Sequence, residues 1–194
     1  MPNWCMNNCE IHHEDKTKID AIDSFLTEYD ANEDKEKTGL LQFLVPNPAN
    51  EWDYGWCVKN WGTKWDIQLH EWNRIDENTI SLNFDSAWAP PTVAYDTLTE
   101  EGYDISGYYL EEGMGFVGSH VDGVDNSYEF DYEDITKLDD IPDEMKTKSG
   151  YLKDDFVVDD VEIQNQDDTS ISEGEWEDDI SELEYEEYCY SDED

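Results

Sequence analysis

The sequence predicts an α+β fold built on an antiparallel sheet, and three observations carry that prediction. Several short segments alternate apolar and polar residues with the period of a half-buried strand. Two others repeat apolar residues at helical spacing. Their order along the chain is strand, helix, strand, strand, helix, strand, the split βαβ pattern of a ferredoxin-like sandwich.

Each element has its own signal. Residues 4–13 alternate and read as the first strand. Asp15 is placed to cap the helix that follows, in which Ile19, Ile22, Phe25, Leu26 and Tyr29 recur on one face. The apolar run from Leu40 to Val45, stopped by Pro46, fits a brief helix or an edge strand, and its periodicity does not separate the two. Residues 47–64, dense in Trp, Tyr, Asn and Gly, read as a loop. Trp65–Trp72 alternates as a strand, Arg74–Asn78 is a polar turn, and Thr79–Phe84 is a further period-two strand. Pro90 and Pro91 open a second helix that runs to Gly102. Strands at 103–111, 114–121 and 126–132 extend the sheet. The predicted organisation is a domain over 1–132 and an acidic extension over 133–194. In the extension, 156–158 and 161–163 suit short strands and 176–189 a terminal helix. Its aromatic residues suggest that it docks on the domain.

Composition sets the bounds on function. The 194 residues include 52 Asp and Glu against 11 Lys and Arg, a formal charge of -41. Residues 1–132 carry 27 acidic and 7 basic residues, and 133–194 carry 25 and 4, so the two regions share the charge almost equally. Low hydrophobicity with such a charge is the signature of disorder. Eight Trp, twelve Tyr and six Phe oppose it by supplying large areas to bury. A surface of this sign repels nucleic acid and anionic membranes and attracts basic proteins. No apolar run reaches the length of a membrane span, and the N-terminus lacks the basic and apolar regions of a signal peptide. Four scattered cysteines do not form a secreted disulfide framework, so the expected compartment is the cytoplasm of a host cell.

Three segments carry a resemblance. Met1-Pro2-Asn3-Trp4-Cys5 with Asn7, Trp56-Cys57-Val58-Lys59-Asn60-Trp61-Gly62-Thr63-Lys64-Trp65-Asp66, and Phe84-Asp85-Ser86-Ala87-Trp88-Ala89-Pro90-Pro91 resemble, in order, the motifs of the YubB-type ferredoxin-like proteins of phages and plasmids. The resemblance reaches across roughly residues 1–122 and implies a fold and a mobile-element origin. It implies no catalytic residues, because members of that family mostly lack an assigned activity. The acidity and the extension depart from the family pattern.

Cys5, Cys9 and His13 on one strand face spread over some 26 Å at about 3.3 Å per residue, too far to converge on zinc without a bend. Cys57 with His70 or His120 lacks local support as a nucleophile and base, since surrounding carboxylates disfavour the thiolate. The aromatic segment Trp52, Tyr54, Trp56, Trp61 and Trp65 has the rings of a base-stacking platform but only Lys59 and Lys64 nearby to hold phosphates. It reads better as a loop pinned over the sheet. The carboxylates Asp122, Asp125 and Glu129 lack the calcium-loop pattern, and Gly113-Met114-Gly115-Phe116-Val117-Gly118 reads as a hairpin turn and not a dinucleotide loop. No enzyme activity, cofactor or metal is expected.

The charge itself remains as the functional signal. Duplex DNA presents about one negative charge per 1.7 Å of axis. Alternate carboxylates on a strand lie about 6.6 Å apart, and helical ones at three or four residues' separation about 5–6 Å. The expected partner-binding residues are Asp154, Asp155, Asp159, Asp160, Glu162, Glu173, Glu175, Glu177, Asp178, Asp179, Glu182, Glu184, Glu186 and Glu187, with Trp176 and Tyr185 as aromatic anchors. The function expected is a phage-encoded DNA mimic that occupies the basic cleft of a host DNA- or RNA-binding protein, such as a restriction, CRISPR, nuclease or nucleoid protein. Direct binding to nucleic acid or membrane is not expected, and a homodimer remains open. The alternatives are an acidic adaptor for another basic protein, or a metal-binding enzyme on the same scaffold.

Overall fold

A computed structural model describes residues 3–31, 38–49, 51–131 and 140–149 of the chain. The chain divides into two compact units, Met1–Val157 and Val158–Asp194; the second lies wholly outside the described residues.

The first unit has the ferredoxin-like α+β fold, with six antiparallel strands in one sheet. β1 (Trp4–His12) is central, between β3 (Thr79–Ala87) and β4 (Asp104–Glu111). β2 (Gln68–Arg74) forms one edge, and the hairpin of β5 (Phe116–Val121) and β6 (Val124–Glu129) extends the other. Asp122 and Gly123 turn that hairpin with φ of 52° and 72°, the pair of left-handed conformations that a tight antiparallel turn requires. The preceding β4–β5 turn is tied by Glu111, whose buried carboxylate accepts the backbone N–H groups of Gly113 and Met114. The glycine-rich segment is therefore hairpin, as its flanking strands predicted.

α1 (Lys16–Ala31) begins where the Asp15 carboxylate accepts the Thr17 N–H at 3.0 Å, and it buries Ile19, Ile22 and Leu26 against the sheet. α4 (Thr92–Glu100) follows Pro91 and buries Ala94, Tyr95 and Leu98 on the same face. The strands meet these helices with Cys9, Ile11, Ile80, Leu82, Phe84 and Ile105. The opposite sheet face buries Tyr108, Leu110 and Val117 under Ile141 and Met145. Met145 belongs to α5 (Asp143–Lys148), so residues beyond 132 help to complete the packing of this unit.

Two expectations are corrected. The 47–64 segment contains a helix, α3 (Tyr54–Asn60), capped by the Asp53 carboxylate on the Trp56 N–H. It buries only Cys57, so it lacks the apolar stripe that would have announced it. The strand read from Trp65 begins instead at Gln68, because Trp65 and Asp66 are engaged in tertiary contacts. The ambiguous run is helical: α2 (Leu40–Leu44). The short strands and terminal helix expected between 156 and 189 lie outside the described residues.

Candidate functional site

The three motifs that carry the sequence resemblance meet in one patch. Asn7 on β1 donates to the Ser86 hydroxyl at 2.9 Å, and the Trp88 N–H donates to the Asn3 carbonyl at 3.0 Å. The Thr63 hydroxyl donates to the Ala87 carbonyl at 3.0 Å and accepts the Ala87 N–H at 3.1 Å. These bonds join the chain's first residues, the end of the α3 segment and the end of β3 into one unit.

Tryptophans surround that seam. The rings of Trp4 and Trp65 lie 6.3 Å apart. The Lys64 ammonium sits 4.5 Å from the Trp65 ring centre and 4.8 Å from that of Trp88, a double cation–π contact. Trp88 remains 41% exposed although it adopts φ of 71°, a left-handed conformation uncommon for a bulky residue. Such strain persists only where neighbours over-determine it, and here the Trp88 N–H is held by Asn3 and the preceding residue, Ala87, by Thr63.

Beside this patch lies a cavity of about 450 Å³ between α2, α3 and the approach to β2. Trp61 anchors its floor. It is buried, donates its indole N–H to the Val45 carbonyl at 2.8 Å, and meets Trp56 edge-on at 5.3 Å. Its carbonyl accepts the Ala94 N–H, which ties the loop to α4. The pinned-loop reading of the aromatic segment thus holds for Trp61. Trp52, by contrast, stands at the cavity rim 64% exposed, held by its indole N–H on the Lys64 carbonyl.

Asp66, the last residue of the second motif, forms another wall, and no sequence signal marks its capping role. One carboxylate oxygen accepts from Leu41 N at 2.9 Å and the other from Gln42 N at 2.8 Å, so this side chain caps α2 from a distance. Burial pushes its carboxyl above the ordinary carboxylate range, while the backbone N–H groups of Leu41, Gln42 and Ile67 pull the other way. The available hint was Gly39, which opens α2 without a capping side chain. A Cβ there would overlap the Asp66 carboxylate.

Among the described residues, Cys5, Cys9 and Cys57 are placed as packing residues. Burial pushes the Cys9 thiol up to about 12 and raises those of Cys5 and Cys57 as well. Among the described residues no three His, Cys, Asp or Glu side chains gather where they could hold a metal ion. His13 packs edge-on against Tyr103, His70 pairs with Asp85 at 2.9 Å, and His120 is buried beside Tyr95. In native protein at about pH 8, Cys5, Cys9 and Cys57 should resist a thiol-modifying reagent until denaturant is added. Peptide mapping after a short exposure checks this, and rapid labelling of Cys57 would contradict its structural role.

The expected partner-binding residues Asp154, Asp155, Asp159, Asp160, Glu162, Glu173, Glu175, Glu177, Asp178, Asp179, Glu182, Glu184, Glu186, Glu187, Trp176 and Tyr185 all lie outside the described residues. No helix among the described residues is long and apolar enough to cross a membrane.

No curated protein sequence matches the chain. Among solved structures, the crystal structure of a protein api92 from Yersinia pseudotuberculosis is similar, with 11% identity over 68% of this chain and 99% of that chain, at a TM-score of 0.43. The family model described as "Ferredoxin-like domain in Api92-like protein" matches residues 64–147.

Proposed function

We propose that this chain is a non-enzymatic acidic protein that occupies the basic nucleic-acid-binding surface of a host protein, as a DNA mimic from a phage or similar element. The observation that carries this reading is the charge of -41 distributed over both the folded unit and the extension. Within the fold, several of the few cations are held internally. Lys16 pairs with Asp20, Arg74 with Asp20 and Asp23, and Lys148 with Glu144. Lys64 is held between tryptophan rings. The surplus carboxylates therefore set the sign of the outward field, which steers basic partners and repels nucleic acid.

Capture of host proteins by the immobilised full chain tests the reading. The retained proteins should be nucleic-acid-binding proteins, duplex DNA should displace them, and capture should fail as salt approaches about 1 M, where the Debye length is about 3 Å. Capture that persists unchanged in high salt, or that DNA does not compete, would replace mimicry with the adaptor reading.

A further inference from the structure

We propose that the cavity beside Trp61 is a receptor for a cationic side chain, specifically an arginine guanidinium presented by the basic partner; this rests on the function proposed above. The argument begins with what the cavity wall has left to offer. Its amides are each engaged through one N–H: Gln42 Nε2 donates to the Asn47 carbonyl at 3.2 Å, and Asn47 Nδ2 donates to the Glu51 carbonyl at 2.9 Å. The indole N–H groups of Trp52 and Trp61 are spent on the Lys64 and Val45 carbonyls. The buried Cys57 thiol is held protonated by its desolvation. What the wall still offers includes the aromatic faces of Trp52 and Trp65 and the Glu51 carboxylate; the Asp66 oxygens are already occupied by the Leu41, Gln42 and Ile67 N–H groups. The Glu51 carboxylate makes no hydrogen bond or ion pair among the described residues.

A wall that presents a carboxylate beside indole faces favours a donor-rich cation. Guanidinium fits this set better than ammonium. It is planar, it stacks on indole, it is weakly hydrated, and its fork of N–H groups matches a carboxylate. The volume of about 450 Å³ lies within the range of ligand pockets and admits one extended side chain. Lys64 shows the same chemistry next door, where the Trp65 ring that lines the cavity already accepts a cation at 4.5 Å. The surrounding negative field supplies the long-range attraction, and the cavity supplies a fixed point of contact that a diffuse charge lacks.

The test uses the full chain and a small probe, N-acetyl-arginine amide, followed by two-dimensional NMR of the tryptophan indole N–H groups. Saturable shifts at Trp52 and Trp65 in the millimolar range are expected. Glu51→Gln and Trp52→Ala, both at exposed positions, should each weaken binding roughly tenfold while leaving the remaining spectrum folded. N-acetyl-glutamine amide should not bind, and N-acetyl-lysine amide should bind more weakly. Absence of saturable shifts overturns the proposal, as do equal binding of the neutral or lysine analogue and indifference to both substitutions. These outcomes are separable from the broader reading. DNA-sensitive capture of host proteins without arginine binding sinks the cavity proposal alone. Arginine binding without DNA-sensitive capture sinks mimicry and leaves a cation receptor.

Discussion

Trp61→Ala is expected to lower the stability of the folded unit by about 3–5 kcal/mol, the range for deleting a buried large aromatic side chain. Against a typical total of about 5–15 kcal/mol this is a large fraction. Two losses combine. The ring leaves a void beneath the cavity where it packed against Trp56 and the buried core. The Val45 carbonyl also loses the indole N–H that satisfied it at 2.8 Å. Trp61→Phe separates them, since it restores most of the volume and should cost only about 1–2 kcal/mol. Urea denaturation reads both, with the midpoint of Trp61→Ala falling by roughly 2 M if the slope is about 2 kcal/mol per M. A midpoint shift below about 0.5 M would mean that the loop is held by other contacts.

Gly39→Ala is the second large effect, and its sign is diagnostic. Gly39 has φ of -75° and ψ of 169°, a conformation that alanine adopts without strain. On backbone grounds alone the substitution should stabilise by about 0.4–1 kcal/mol. The structure predicts the reverse. The added methyl would occupy the volume of the Asp66 carboxylate and displace it from the N–H groups of Leu41 and Gln42. That removes charge-assisted hydrogen bonds from a buried acid, each contributing about 1.5–3 kcal/mol, so a net loss of about 2–4 kcal/mol is expected. Thermal unfolding decides the matter. A raised midpoint would show that Asp66 does not cap α2, and one wall of the cavity would have to be redrawn.

The two glycine-and-tryptophan predictions fall where sequence reasoning was weakest, and the reason is physical. β1 and β3 announce themselves because alternation is a local property, and each buries one face on the helices. α1 and α4 carry their stripes and start signals within their own residues. α3 is capped and short, and its one buried residue, Cys57, gives no period to detect. The cavity was still less legible. Its walls come from residues 38–52 and 57–66, whose approach depends on Asp66 reaching back to α2 and Trp61 reaching across to Val45. Nothing in a linear pattern states that a carboxylate will cap a helix 25 residues upstream. The motif resemblance did contain the clue in another form. Its three segments appear separate along the chain because the hydrogen bonds that unite them, Asn3 with Trp88 and Thr63 with Ala87, are tertiary.

The central position of β1 bears on how such a gene can be inherited. The matched stretch 64–147 encodes five of the six strands, yet the strand that separates β3 from β4 is encoded by residues 4–12. A recombination crossover just before codon 64 would deliver two sheet fragments, β2–β3 and β4–β5–β6, each with a newly bared edge along its middle. The recipient could not repair this by adding a strand at the periphery. The stretch 64–147 therefore needs residues 4–12, or an equivalent strand, to close its sheet.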